Sequence, residues 1–119
     1  MIIDGKKIAD EIQQEIKHAI QQIKQPRPPC LAVVLVGDHP PSQIYVNRKT
    51  QACEAVGIHS IKCELPSSIS EEDLIAKVEA LNQNPDIDGI LVQLPLPAHI
   101  NPMRITHCIH PDKDVDGFH

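Results

Sequence analysis

Aromatic side chains are nearly absent from this sequence, and basic side chains are outnumbered by acidic ones. There is one Tyr, one Phe and no Trp among 119 residues, and 11 Lys and Arg stand against 16 Asp and Glu, giving a net charge of −5. The core must therefore be built from Ile, Leu, Val and Ala. The basic residues are scattered along the chain, which argues against a nucleic-acid partner.

Several features that mark particular protein classes are also missing. No apolar run approaches the length of a membrane span and no signal peptide opens the chain, so we expect no membrane partner. The four cysteines form no Cys-x-x-Cys pair, and three lie in or beside predicted buried elements, so we expect reduced structural thiols in a cytoplasmic protein. Gly-x-Gly-x-x-Gly and Walker sequences do not occur, so a nucleotide would need another domain.

The chain does contain an alternation of apolar runs and helical patterns, within a length that corresponds to one domain, residues 1–119. Apolar runs predict strands at 1–3, 30–36, 60–65 and 89–93. Apolar residues at three- and four-residue spacing predict helices from Lys6, from the cap Ser42 to Val56 with Gly57 as the C′ residue, from Ser70 to Leu81, and around 102–108. This alternation predicts an α/β fold with three layers, a small parallel sheet flanked by helices and right-handed crossovers.

One stretch combines a buried strand with features of a binding site. The apolar run at 89–92 lies between Asp-Gly and prolines, which suits a strand buried on both faces of a parallel sheet. Gln93 follows where the strand leaves the sheet, in the place where open α/β sheets bind ligands. The alternative is that Gln93 only caps the strand. An extended segment comes next, which we call the proline lip: Leu94, Pro95, Leu96 and Pro97.

The second predicted helix presents Tyr45 and Lys49 four residues apart on one face. Ala52 and Val56 continue that face, so both side chains point toward the sheet, near the position where Gln93 emerges. A lysine on the inner side of a helix loses water, its pKa tends to fall, and it can act as an acid or base near neutral pH. The alternatives are that Lys49 extends to solvent and that Tyr45 is a core residue with a satisfied hydroxyl.

Two groups of residues suggest metal sites, and both are incomplete. Residues 107–110 offer two His and one Cys as zinc ligands, without a fourth. Asp112, Asp114 and Asp116, followed by Gly117, match the first half of an EF-hand loop, but the bidentate Glu and the flanking helices are missing. We therefore expect no metal and keep a calcium-binding module as a rival hypothesis, with a plain acidic turn as the simpler alternative.

Three motifs complete the pattern. They are Gly37-Asp38-x-x-x-Ser42-x-x-Tyr45-Val46-x-x-Lys49, Gly89-Ile90-Leu91-Val92-Gln93-Leu94-Pro95-Leu96-Pro97 and Pro111-x-Lys113-Asp114-Val115-Asp116-Gly117-Phe118. Together they resemble the bifunctional methylenetetrahydrofolate dehydrogenase/methenyltetrahydrofolate cyclohydrolase family. The resemblance extends from Asp4-Gly5-Lys6 to His119, so it covers nearly the whole chain.

The resemblance implies an enzyme of one-carbon metabolism that serves purine biosynthesis. Family members oxidise 5,10-methylenetetrahydrofolate to 5,10-methenyltetrahydrofolate with NADP, or sometimes NAD, and hydrolyse the product to 10-formyltetrahydrofolate. By similarity, Lys49 is the general acid/base of the hydrolysis, Gln93 hydrogen-bonds and tunes it, and Asp116 binds polar atoms of the pterin. Tyr45 would stack on the folate ring system, and the proline lip would shape the folate cleft.

The resemblance also implies a Rossmann-type domain after this point, because family members continue into one and hold NADP there. The chain corresponds to the N-terminal folate-binding catalytic domain, so we expect it to bind folate but neither to bind NADP nor to transfer hydride by itself. The parent protein is expected to be a homodimer. Three hypotheses stay open: a catalytic domain, a folate-binding module without turnover, and an acidic calcium-binding module.

Overall fold

Three strands and three α-helices alternate along residues 28–115, the part of the chain that the computed structural model describes. The predicted strand at 1–3 and the predicted helix from Lys6 lie outside these residues. In chain order the elements are β1 (Cys30–Val36), α1 (Pro40–Ala55), β2 (His59–Leu65), α2 (Glu71–Gln83), β3 (Gly89–Val92), α3 (Pro102–Cys108) and a 3₁₀ turn (Pro111–Lys113). The α/β class is confirmed.

β1 lies in the middle of the sheet, and both of its neighbours run parallel to it. The strand order is β2-β1-β3, with Cys30 opposite His59 and Leu31 opposite Gly89. Parallel neighbours cannot be joined by a tight turn, and here α1 connects β1 to β2 while α2 lies between β2 and β3. The predicted parallel sheet is therefore confirmed.

Alternate residues of β1 face opposite layers of helices, because successive side chains of a strand point to opposite sides. One hydrophobic cluster joins the odd-numbered residues of β1 to α1; it includes Leu31, Val33, Leu35, Val46 and Cys53. The other joins the even-numbered residues to α2 and α3; it includes Ala32, Val34, Val36, Leu74, Val78 and Ile105. The sheet thus has helices on both faces, which confirms the predicted three layers.

The start of α1 differs from the sequence-based expectation. The helix begins at Pro40, and His39 is its N-cap, with Nδ1 accepting from the Ser42 N–H at 3.4 Å. The predicted cap, Ser42, is wrong, because it is a buried residue of the first turn. Proline suits the first helical positions, where the N–H would have no intrahelical acceptor and a φ near −65° is already helical. At the other end, Gly57 has φ +84° and is the predicted C′ residue.

The segment after α3 returns to the outer edge of β3. Asp114 forms a parallel bridge with Ile90 and is 4% exposed, and Val115 is 6% exposed. A Cβ atom on Gly89 would lie 2.6 Å from Val115 Cγ1, so this contact needs glycine in the strand. The burial of Asp114 against the sheet lends no support to a calcium loop.

Two further findings concern the cysteine thiols and the helices of the described residues. All four cysteines lie in this part of the chain, and none forms a disulfide. Burial raises the pKa of the Cys63 and Cys108 thiols, so both stay protonated near neutral pH. Between residues 28 and 115, no helix has both the length and the hydropathy that a membrane span requires.

Candidate active site

The carboxyl ends of β1 and β3 meet at a topological switch point, and we call the space outside these two strand ends the crevice. After β1 the chain turns to α1 on one face of the sheet, and after β3 it continues to α3 on the other face. Crevices of this kind are the usual ligand sites of open α/β sheets. The Gln93 N–H donates to the Val34 carbonyl at 2.9 Å, which extends the pairing by one residue and fixes Gln93 at the crevice.

Lys49 reaches the same crevice from α1. Its Nζ donates a hydrogen bond to Gln93 Oε1 at 3.1 Å. Val46 and Cys53 lie three residues before and four after Lys49 and are fully buried against the sheet, so Lys49 lies on the inner side of the helix. The structure thus brings together two side chains that are 44 residues apart in the sequence.

Tyr45 lies one helical turn before Lys49 and borders the same space. The centre of its ring is 5.9 Å from Lys49 Nζ, which is the outer limit of a cation–π contact. The side chain is half-buried and packs against the cluster between α1 and the sheet. One face of the crevice therefore has an aromatic ring beside an amine.

The Leu94 carbonyl determines how the Gln93 amide is oriented. Gln93 Nε2 donates to Leu94 O at 2.9 Å. A carbonyl can only accept, so the NH₂ end of the amide faces Leu94 and the oxygen end faces Lys49. The lysine nitrogen has N–H groups to donate to that oxygen, so both ends of the Gln93 amide are satisfied.

Two further residues connect the start of α1 to this carbonyl, and sequence reasoning did not assign them to the site. Ser42 Oγ lies 3.5 Å from Leu94 O, and His39 Nδ1 lies 2.8 Å from Ser42 Oγ. Ser42 was expected only to cap the helix. It precedes Lys49 by seven residues, or two helical turns, and this spacing was the signal that could have placed both on one face.

The proline lip follows Gln93 and is anchored at two of its residues. The Leu94–Pro95 peptide bond is cis. Leu96 packs against the cluster under α2 and α3, and the Pro97 carbonyl accepts from the Ile100 N–H at 3.0 Å. Pro95 is exposed, while the other three residues are half-buried.

The remaining predicted site residue, Asp116, lies outside the described residues. The two residues before it, Asp114 and Val115, are buried at the edge of β3. The structure therefore brings Tyr45, Lys49 and Gln93 together, with the proline lip directly after Gln93, and Asp116 stays a prediction.

The described residues do not fit a dinucleotide. The first two residues of α1 are prolines without an N–H, and the third donates its N–H to the cap, so this helix start cannot cradle phosphate as helix N-termini often do. A cavity of about 400 Å³ lies beside the turn that follows β1. Its lining includes Asp38 and Glu64, whose negative charge would repel phosphate. Within residues 28–115, no three His, Cys, Asp or Glu side chains are grouped as metal ligands.

Comparison with known protein families assigns nearly the whole chain to one family. Residues 3–116 match the family described as tetrahydrofolate dehydrogenase/cyclohydrolase, catalytic domain. The chain belongs to this family. The resemblance inferred from the three sequence motifs is thereby confirmed.

Individual relatives place the chain within longer proteins of this family. The bifunctional protein FolD of Protochlamydia amoebophila is 71% identical over 119 residues, which are 40% of its length. The crystal structure of FolD from Campylobacter jejuni is 43% identical, with a TM-score of 0.78 over 96% of this chain and 39% of that one. FolD from Trypanosoma brucei, solved in complex with NADP cofactor and inhibitor, is 35% identical with a TM-score of 0.74 at the same coverage. The chain thus spans about 40% of the length of these relatives.

Proposed function

We propose that this chain is the folate-binding catalytic part of an enzyme of one-carbon metabolism. The enzyme oxidises 5,10-methylenetetrahydrofolate to 5,10-methenyltetrahydrofolate with NADP and hydrolyses the product to 10-formyltetrahydrofolate. The observation that supports this proposal most strongly is the hydrogen bond between Lys49 and Gln93 at the switch-point crevice. Membership of the family supports the choice of folate as the substrate.

Lys49 is proposed as the general acid/base of the hydrolysis. Its amine takes a proton from a water molecule as the water oxygen bonds to the methenyl carbon. The resulting ammonium then gives a proton to N5 as the bond between that carbon and N5 breaks. The formyl group stays on N10, and the proton of the added hydroxyl leaves to solvent.

The charge of the substrate favours the neutral form of the lysine in this step. The methenyl group is part of a cationic amidinium, and an ammonium beside it would be repelled at close range. Gln93 Oε1 accepts one N–H of the amine. The lone pair of the neutral amine is then directed away from Gln93, which makes it available to a water molecule in the crevice.

The other site residues hold the folate. Tyr45 presents a half-buried ring on which the folate ring system is proposed to stack. The proline lip is proposed to shape the folate cleft. Asp116 binds polar atoms of the pterin. The described residues do not fit a dinucleotide, so NADP is proposed to bind elsewhere in the whole enzyme. We propose that the whole enzyme is a cytoplasmic homodimer.

Two assays separate the catalytic proposal from a folate-binding module without turnover. For the first, this chain is joined to the remaining segment of the Protochlamydia amoebophila relative; we call the product the joined enzyme. We expect it to hydrolyse 5,10-methenyltetrahydrofolate, measured as the loss of methenyl absorbance above the uncatalysed rate. In the second assay, calorimetry measures binding of tetrahydrofolate to the 119-residue chain. Binding without any hydrolysis by the joined enzyme would favour the module and contradict the catalytic proposal.

A further inference from the structure

The segments that follow the three strands lie at one edge of the sheet, because the carboxyl ends of parallel strands meet there. The turn after β1 contacts the loop after β2. The Gly37 N–H donates to the Leu65 carbonyl at 2.8 Å, and a Cβ atom on Gly37 would lie 3.3 Å from Ser67 Cβ. The proline lip is the segment after β3, so its position depends on what joins it to these neighbours.

His99 joins the segment after the proline lip to the loop after β2. Its Nε2 lies 2.7 Å from the Ile69 carbonyl oxygen. A carbonyl can only accept, so Nε2 carries a proton in this contact and donates it. The imidazolium also carries a proton on Nε2, so the hydrogen bond forms whether the ring is neutral or charged. Ile69 packs against the cluster under α2 and α3, so the core holds the acceptor in place.

The lip is thereby held on both sides. Before it, the Gln93 N–H donates to a carbonyl of β1 at 2.9 Å. After it, Ile100 is 3% exposed, and the His99 side chain reaches the neighbouring loop. Pro95 and Pro97 have no N–H, so half of the lip cannot donate a backbone hydrogen bond. The contacts at its two ends therefore determine much of where the lip lies.

A second tie joins the starts of α2 and α3, farther along the chain from the lip. The Glu71 carboxylate accepts from the Asn101 N–H at 2.9 Å and from Arg104 Nη1 at 2.7 Å. The Arg104 side chain is exposed. The two helix starts thus stay joined without the His99 contact. Removal of Arg104 and removal of His99 can therefore be compared at the same junction.

We infer that His99 is a positioning residue of the folate site, which holds the proline lip in place for the folate ring system. This inference rests on the proposed function, because it assumes that the lip shapes the folate cleft. His99 acts through the lip and not through contact with the substrate. A lip that is already held in place loses less conformational freedom when folate binds, so the contact favours binding. Substrate and transition state share this gain, so it belongs to KM and not to kcat.

The test compares three variants of the joined enzyme in methenyl hydrolysis. His99→Ala removes the donor, and we expect KM to rise about 3- to 10-fold, the effect of one hydrogen bond, with kcat within about twofold of the wild-type value. His99→Gln places an amide N–H near the position of the ring Nε2 and should keep KM close to wild type. Arg104→Met is the matched control; it removes the exposed tie to Glu71 and should leave KM unchanged. Calorimetric titration with tetrahydrofolate should rank the affinities in the same order.

A purely structural role for His99 would give a different pattern. Partial loss of folded enzyme lowers the apparent kcat and leaves KM unchanged, and that result would overturn the inference. It would also be overturned by a wild-type KM in folded His99→Ala, by a KM in His99→Gln as high as in His99→Ala, or by an equal rise in Arg104→Met.

A further variant keeps the test decisive if His99→Ala does not fold. His99→Asn has a polar side chain that ends near the position of the ring Nδ1, too short to reach Ile69, so its KM should rise while that of His99→Gln does not. Equal KM values in these two variants would overturn the inference. An inactive wild-type joined enzyme would instead contradict the proposed function, so the two failures can be told apart.

Discussion

At the scale of single residues, Gln93 shows how a backbone group can set the chemistry of a side chain. The Leu94 carbonyl accepts from one end of its amide, so the other end must present oxygen to Lys49. In the proposed hydrolysis, that oxygen orients the amine and turns its lone pair toward water. Gln93 is therefore expected to tune the reaction, while Lys49 moves the proton.

Removing the Gln93 amide should cause a moderate loss. We expect Gln93→Ala in the joined enzyme to hydrolyse 5,10-methenyltetrahydrofolate about tenfold more slowly, roughly the effect of one hydrogen bond to the reacting group. The pH profile of the reaction should also shift, because the amine loses its oriented partner. Rates measured across pH check both points. A loss of roughly 10²-fold or more, the usual contribution of a general acid/base, would mean that Gln93 itself is indispensable to the chemistry.

At the scale of elements, the described strands and the helix α2 could be predicted because their signals are local. The apolar run of β1 and the Ser70 cap of α2, where Ser70 Oγ accepts from the Asp73 N–H at 3.1 Å, each lie within a few consecutive residues. The start of α1 differs from the prediction because serine is a common cap residue, which favoured Ser42. The helix instead begins two residues earlier, with Pro40 and Pro41 as its first residues. The contact from Lys113 to the end of α2 could not be predicted, since it joins residues about 30 apart.

The contact between Gly89 and Val115 predicts a specific pair of stability effects. Gly89→Ala should lower the free energy of unfolding of the 119-residue chain by about 1–3 kcal/mol, because its Cβ overlaps Val115 Cγ1. Denaturant titration measures the change. Val115→Ala removes the overlapping atom, so the double variant should lose less than the sum of the two single variants. Additive losses would show that the overlap does not cause the destabilisation.

At the scale of the whole molecule, we propose that the chain forms one wall of the reaction site, and its described residues do not fit a dinucleotide. The start of α1 is closed by prolines and a histidine cap, and the neighbouring cavity is acidic. The chain also spans only about 40% of the length of its relatives. Hydride transfer requires the nicotinamide beside the folate carbon, so we expect it to depend on the rest of the enzyme.

If the dinucleotide binds outside this chain, the chain and the joined enzyme should differ in NADP binding and in hydride transfer. The 119-residue chain should neither bind NADP in a calorimetric titration nor form NADPH from 5,10-methylenetetrahydrofolate. The joined enzyme should do both, because it restores the segment that we propose to hold NADP. NADPH formation by the purified chain above the rate without protein would show that the dinucleotide site lies within it.

The most direct test of the proposed chemistry is methenyl hydrolysis by Lys49→Met in the joined enzyme. Methionine keeps most of the side-chain volume and removes the amine, while Tyr45 and the proline lip remain. We expect hydrolysis to fall by roughly 10²-fold or more, the usual contribution of a general acid/base. Tetrahydrofolate binding and the free energy of unfolding should change much less. Hydrolysis at the wild-type rate across pH in Lys49→Met would contradict the account.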